Sequence, residues 1–330
     1  MLKGSTMMKK TISLLALVGL VMGCGGQGTE PGAKARTGQP DDAARPVVAL
    51  VMKSLANEFF VTMENGARKH HEAHASEYDL ICQGIQNELD VNRQIQIVEQ
   101  MIAQGVNAIV IAPADSKAVV SVCKRAMDQG IVVVNIDNKF DDEVLADKGV
   151  RIPFVGPDNR KGARIVGEYL AAHLEPDAQV AIIGGVPSAF NAIQRKLGFE
   201  DAMEAAGITV AASQSGDWEM AKANNVVSAL IAEHPELDAV LCANDSMALG
   251  AVAALKDAGR LSGVKVVGYD NISAVQDLLE DGTILATADQ HADQLAVYGI
   301  EYALEMLKGG QSPEYRETPV DLVATAKASQ

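Results

Sequence analysis

Carboxylates, amides, one arginine and aromatic rings recur in this chain directly after short apolar runs. Lys53, Asn57, Phe59 and Phe60 follow the run Val47-Val48-Ala49-Leu50-Val51-Met52, and Asp137, Asn138 and Lys139 follow residues 131–136. The second half repeats the pattern with Asn191 and Arg195, Asp217 and Trp218, Asn244 and Asp245, Asp270 and Asn271, and Asp289 and Gln290. Vicinal hydroxyls can donate to a carboxylate while accepting from guanidinium or amide N–H groups. The apolar C–H faces of a sugar ring pack on aromatic planes. The same polar groups are costly to bury without a partner. Several of these residues also have a purely structural reading. Asp245, ahead of Ser246-Met247-Ala248, reads more readily as a helix cap than as a ligand contact, and Asp158 and Asn159 can cap the helix that starts at Arg160. Phe59 and Phe60 fit an ordinary core, although two adjacent rings at a helix start must point two ways, which turns one of them to a cleft.

The elements that carry these residues alternate. Strands are expected at 47–52, 78–82, 108–111 and 131–136, with helices at 60–74, 90–104 and 117–129 between and around them. Ile95, Val98 and Ile102 share one face of the second helix. The pattern restarts with a helix at 160–174, a strand at 179–183, a helix at 194–206 and a strand at 208–212. It continues through 219–234, 239–242, 245–258, 264–267, 272–280 and 284–288, and closes with a helix at 291–308. Unbroken β-rich runs alternating with amphipathic helices predict parallel sheets covered on both faces. Two such sets predict an α/β protein of two similar lobes. Ligands of these sheets sit beyond the carboxyl ends of the strands, so two facing lobes make a cleft lined by the residues above.

With 330 residues, the chain is long enough for two domains. Being 48% hydrophobic, it is too apolar for intrinsic disorder. Lys and Arg number 28 against 43 Asp and Glu, a net charge of −15 that excludes a nucleic-acid partner. The four cysteines, at 24, 82, 123 and 242, form no C-x-x-C pair, so a zinc ribbon or thioredoxin-type site is excluded. Cys82, Cys123 and Cys242 read as free thiols, their redox state left open. Lys3, Lys9 and Lys10 precede an apolar run at 12–22 that is too short to span a bilayer. The run ends in Leu20-Val21-Met22-Gly23-Cys24, which resembles a bacterial lipoprotein signal, and that resemblance implies cleavage before Cys24 and a lipid on its thiol. Residues 1–23 are therefore expected to be a signal peptide. The Gly-, Pro- and Thr-rich stretch 24–45 reads as a flexible tether.

Further motifs sharpen the reading. Ala49-Leu50-Val51-Met52-Lys53-Ser54-Leu55-Ala56-Asn57-Glu58-Phe59-Phe60 resembles the opening of the periplasmic ribose-binding protein family, sugar-binding components of ABC transporters with the type I periplasmic-binding fold. The resemblance runs from Val47 to about Val323. It takes in Ala112-Pro113-Ala114-Asp115-Ser116, Asn135-Ile136-Asp137, Gly156-Pro157-Asp158-Asn159, Arg195-Lys196-Leu197-Gly198-Phe199, Ala243-Asn244-Asp245-Ser246-Met247-Ala248-Leu249-Gly250, Val267-Gly268-Tyr269-Asp270 and Ala286-Thr287-Ala288-Asp289-Gln290. It implies that Asn57, Asp137, Arg195, Asn244, Asp270 and Gln290 bind sugar hydroxyls, and that Phe59, Phe60 and Trp218 sandwich the ring. Lys53, Asn138 and Asn191 complete the expected ligand set, and Asn159 falls near the hinge. Ribose binders carry Arg where Asn138 stands, Phe where Trp218 stands and a small polar residue where Lys53 stands. Allose-binding relatives place a lysine at that last position. These departures point to a hexose or polyol, allose-like rather than ribose.

The implied organisation is an N-terminal lobe of 46–157 plus 291–320 and a C-terminal lobe of 158–290 plus 321–330, joined by a three-stranded hinge near Pro157, Gln290 and Val320. The implied action is capture of a monosaccharide or polyol by hinge closure and delivery to ABC permease subunits. The protein would act as a monomer held outside the cytoplasm by its lipid, without cofactor or metal. Sensing, with the sugar presented to a chemoreceptor or kinase, is the alternative use of the same chemistry. A LacI-type regulator would need an N-terminal helix-turn-helix, where this chain has a signal and a tether. A glycosidase built on Asp137 and Asp270 is conceivable, but no G-x-S-x-G elbow or phosphate loop accompanies the pair. His70, His71 and His74 have a spacing that metals use, but they fall on the polar face of a helix with no third ligand and read as solvated.

Overall fold

A computed structural model describes residues 45–310 and 314–324. The expected signal peptide, Cys24, the tether up to residue 44 and residues 325–330 of the expected C-terminal lobe lie outside the described residues. The first sheet contains β1 (Val47–Ser54), β2 (Asp79–Ile85), β3 (Ala108–Ile111), β4 (Val132–Ile136), β5 (Phe154–Pro157) and β11 (Tyr315–Thr318). Its helices are α1 (Glu58–Ala73), α2 (Val91–Gln104), α3 (Val120–Asp128), α4 (Asp142–Lys148) and α10 (Ala292–Leu307). The second sheet contains β6 (Gln179–Gly184), β7 (Thr209–Ser215), β8 (Ala239–Cys242), β9 (Lys265–Val267), β10 (Ala286–Asp289) and β12 (Asp321–Ala324). Around it lie α5 (Asn159–Ala171), α6 (Phe190–Ala206), α7 (Met220–Glu233), α8 (Asp245–Asp257) and, after a 3-10 turn at Ser273–Val275, α9 (Gln276–Asp281).

The two sheets repeat one topology. The first runs β2-β1-β3-β4-β5-β11 and the second β7-β6-β8-β9-β10-β12. Each reverses direction between its first strand and its third, and such a switch point opens a crevice at the carboxyl ends of the strands. All pairings are parallel except β10 with β12, which run antiparallel with Asp289 opposite Asp321. The apolar strands are buried on both faces, as parallel sheets require. In β1, Val48, Leu50 and Met52 join one core cluster, whereas Ala49 and Val51 join the cluster under α2, α3 and α4. This is the period of two at work.

The chain passes between the sheets three times among the described residues: at Asp158, at Gln290 and His291, and at Pro319 and Val320. Polar side chains start the helices that flank these passages and the cleft. Asn57, Asp90, Asp141, Asp158 and Asn244 each accept a backbone N–H at a helix N-terminus. Tight helix pairs depend on small residues. A Cβ on Gly198 would sit 2.2 Å from the Arg160 carbonyl oxygen across the α5–α6 contact. Cys82, Cys123 and Cys242 are free. Among the described residues no helix is long and apolar enough to cross a membrane.

Some elements were not expected from the sequence. β5, β11 and β12 are four residues long, with Gly156 and Pro157 in one and several charges in the others. α4 has only seven residues. β2 extends to Ile85, three residues beyond its expected end. His70, His71 and His74 are half-buried rather than solvated. The His70 and His74 rings stack at 4.2 Å, and His70 Nδ1 shares a hydrogen with Tyr78 Oη at 2.9 Å.

Candidate functional site

The carboxyl ends of the strands converge on one cavity of about 240 Å³ between the two sheets. From the first sheet come Lys53, Asn57, Phe59, Phe60, Glu88 and Asp137, and from the second Asn191, Arg195, Trp218, Asn244, Asp270 and Gln290. Larger grooves lie on the surface, one beside Asn135, Lys139 and Phe154. There the charges neutralise each other, Lys139 with Asp142 at 2.6 Å and Arg151 with Glu314 at 3.0 Å.

Local backbone aims the side chains. The pairing of β1 with β2 slips between Val51 and Ser54, and this irregularity turns Lys53 into the cleft. Six non-glycine residues among those described have positive φ: Asp137, Asp217, Trp218, Asp270, Asn271 and His291. All six follow strands of the two sheets. Backbone strain of this kind, about 1–3 kcal/mol per residue, collects where a surrounding structure has a use for it. Trp218 also depends on Gly185, where a Cβ would meet the indole at 2.1 Å.

Two ion pairs organise the charges. Lys53 Nζ lies 3.1 Å from Asp137 Oδ2 and Arg195 Nη1 3.4 Å from Asp270 Oδ1, with all four side chains buried. Arg195 is held further by donating from Nε to Asn159 Oδ1 at 2.7 Å and from Nη1 to the Ala243 carbonyl at 2.8 Å. Its guanidinium stacks 3.7 Å from the Tyr269 ring centre. Gln290 Nε2 donates to Asp270 Oδ1 at 2.7 Å. Burial pushes the Asp270 carboxyl well up, against the opposing pull of Arg195 and Gln290. Two acceptors that line the cavity, Asn191 Oδ1 and Gln290 Oε1, are buried without a donor. Buried acceptors of this kind demand partners.

The aromatic walls come from both lobes. Phe59 and Phe60 meet edge to face at 5.1 Å, and both rings line the cavity, as the family resemblance implied, whereas their place at a helix start alone turned only one of them to it. Lys53 Nζ lies 5.7 Å from the centres of both Phe60 and Trp218.

The cavity gathers eleven of the twelve expected contact residues and leaves out Asn138. Asn138 is a correction: its Nδ2 donates to the Pro113 carbonyl at 2.9 Å, and its Oδ1 accepts from Ser116 Oγ at 3.3 Å and from the Asn191 N–H at 3.2 Å. All its polar atoms are therefore engaged behind the cleft wall. The cap and contact roles at Asn244 and Asp245 are also reassigned. Asn244 caps α8 and lines the cavity, whereas Asp245 accepts from Thr287 Oγ1 at 2.8 Å and from the Ile272 N–H at 3.1 Å. Asp245 thereby braces the turn that carries Asp270, and burial pushes its carboxyl up to about 6. Asp158 caps α5, and Asn159, beside the first passage, orients Arg195. Glu88 was not anticipated. It follows β2, whose end was expected at Cys82, so it lay too far from a strand end to draw notice. A longer β2 would have revealed it.

Direct bonds join the lobes on both sides of the cavity. Ser188 Oγ donates to Asp115 Oδ2 at 3.0 Å and the Phe190 N–H to Ser116 Oγ at 3.0 Å. On the opposite rim, Glu58 accepts from the N–H groups of Ser273 at 2.8 Å and Ala274 at 3.3 Å, and from Ser273 Oγ. This is the arrangement of a closed cleft.

Comparison with known proteins agrees with this architecture. The family described as periplasmic binding protein domain matches residues 48–311. The chain is 58% identical over 284 residues to the D-ribose/D-allose-binding protein of Pseudomonas aeruginosa, covering 84% of this chain and 89% of that one. A solved ABC transporter solute-binding protein from Burkholderia multivorans, its unknown ligand built as α-D-erythrofuranose, superposes with a TM-score of 0.84 at 56% identity, covering 86% of this chain and all of that one. A periplasmic solute-binding protein of an ABC transporter from Actinobacillus succinogenes, with bound D-allose, superposes with a TM-score of 0.82 at 32% identity, covering 86% of this chain and 99% of that one.

Proposed function

The chain belongs to the periplasmic binding protein domain family, and from that premise we propose that it captures a neutral monosaccharide for an ABC transporter, with D-allose and D-ribose as its candidate ligands. The observation that carries this reading is the composition of the closed cavity. Carboxylate and amide acceptors alternate with lysine, arginine and amide donors between aromatic rings supplied by both lobes. A ring bearing several hydroxyls uses both kinds of group at once. The two cations are each matched by a carboxylate. An anionic ligand such as an amino-acid carboxylate or a sugar phosphate would find no unmatched positive charge. The P. aeruginosa relative is named for the same two sugars.

Sugar binding would proceed by closure of the 46–157 plus 291–320 lobe on the 158–290 plus 321–330 lobe, about the three passages between the sheets. Ligand contacts made only in the closed form shift that equilibrium. The permease subunits would then recognise the closed form. Residues 1–23 would be removed as a signal and Cys24 acylated, with the tether allowing the protein to reach the transporter. One acyl chain binds a membrane only marginally, so more than one is expected.

Thermal melting of the full chain with D-allose, D-ribose, myo-inositol and L-glutamine tests the reading. A ligand at 100 times its Kd adds about 2.7 kcal/mol, which moves Tm by several degrees. The expected outcome is a shift with an aldose. A shift with glutamine alone, or with none of the four, overturns the proposal.

A further inference from the structure

Glu88 is the fifth charged side chain of a cavity whose other four charges are already paired. It is 3% exposed. Its hydrogen bond from Asn57 Nδ2 is long, at 3.5 Å, and that amide is neutral. The charged groups facing it are Lys53 from β1, already paired with Asp137 at 3.1 Å, Asp137 itself after β4, and Glu219 at the start of α7. Glu219 belongs to the opposite lobe, so closure brings a second like charge towards Glu88 as it removes water. An ionised Glu88 would be a surplus anion in a dry cavity.

We propose that Glu88 occupies the closed cleft as a neutral carboxylic acid, taking up one proton as the lobes close and donating that hydrogen to a hydroxyl of the sugar. This rests on the reading of the protein as a neutral-sugar receptor and extends it: binding is coupled to proton uptake, and one hydroxyl is read by a donor that exists only in the protonated form. Burial pushes the Glu88 carboxyl up to about 7; Lys53 opposes the rise, Asp137 and Glu219 reinforce it, and Asn57 opposes it. A carboxyl in water titrates near ~4.3. The sign follows: the closed state holds a proton between those values that the open state lacks. Affinity therefore rises as pH falls through about 7, by up to about tenfold per unit, and levels off above it.

Titration calorimetry of the full chain with D-allose and with D-ribose, at pH 6 and pH 8.5 in two buffers of different ionisation enthalpy, counts the protons. The wild type is expected to take up close to ~1 proton per sugar at pH 6 and almost none at pH 8.5. Glu88→Gln, similar in size and a permanent hydrogen donor, is expected to take up none and to bind equally at both pH values. Sugar binding without buffer dependence overturns the inference. So does uptake undiminished in Glu88→Gln, which would place the proton on Asp270. Binding of neither sugar at either pH would instead fail the reading of a sugar receptor on which the inference rests.

Discussion

Asp270 shows how one side chain ties the cleft together. Its carboxylate faces Arg195 at 3.4 Å and accepts from Gln290 at 2.7 Å, while its backbone takes a positive φ. Deleting one member of a buried pair leaves the other charge uncompensated, a loss of about 3–5 kcal/mol. That loss falls on stability; because the carboxylate also lines the cavity, Asp270→Ala is further expected to weaken sugar binding by about 100-fold, ~2.7 kcal/mol. Calorimetry checks this, and a change under about tenfold would mean the carboxylate is peripheral to the ligand. Asp270 and Gln290 were legible in the sequence because each falls within three residues of the end of an apolar run, and the end of such a run is the mouth of the sheet. Asn138 stood at the same kind of position and still turned away, because adjacent residues at a strand end point apart. Only the neighbours Ser116 and Pro113 decide which of two faces the cavity.

The helices were legible as elements, because apolar residues recur at helical spacing through α2, α5 and α8. The short edge strands β11 and β12 were not, because four-residue segments with charged side chains owe their pairing to the strands beside them rather than to propensity. One contact between elements has a functional consequence. Glu58, in the first turn of α1, bonds the start of the 3-10 turn at Ser273, 215 residues away in the chain. Glu58 lies outside the cavity lining, so under the proposed hinge motion its bonds would act on closure and not on the ligand. A receptor whose closed form is less populated binds with a weaker apparent affinity in proportion. The bonds are solvent-exposed, which discounts them. Glu58→Ala is expected to weaken binding by roughly 5–10-fold and leave the choice between allose and ribose unchanged. An altered preference between the two sugars would show that Glu58 touches the ligand after all.

For the molecule as a whole, two sheets of the same strand order meet over one small cavity, bridged by bonds on both rims. If ligand favours this closed arrangement, saturating D-allose should lower the radius of gyration of the full chain in X-ray scattering. A constant radius while the sugar binds would rule out closure as the binding step. Residue patterns along the chain carry the alternation of strand and helix, the division into two α/β lobes, and most of the side chains that stand beyond the strand ends. These properties are local, being carried by apolar runs and by the residues that follow them. The tertiary structure alone decided that Glu88 enters the cavity, that Asn138 leaves it and that Glu58 spans the lobes. Each of those outcomes depends on packing between segments far apart in the chain, and the period of a single strand or helix carries no record of its distant neighbours.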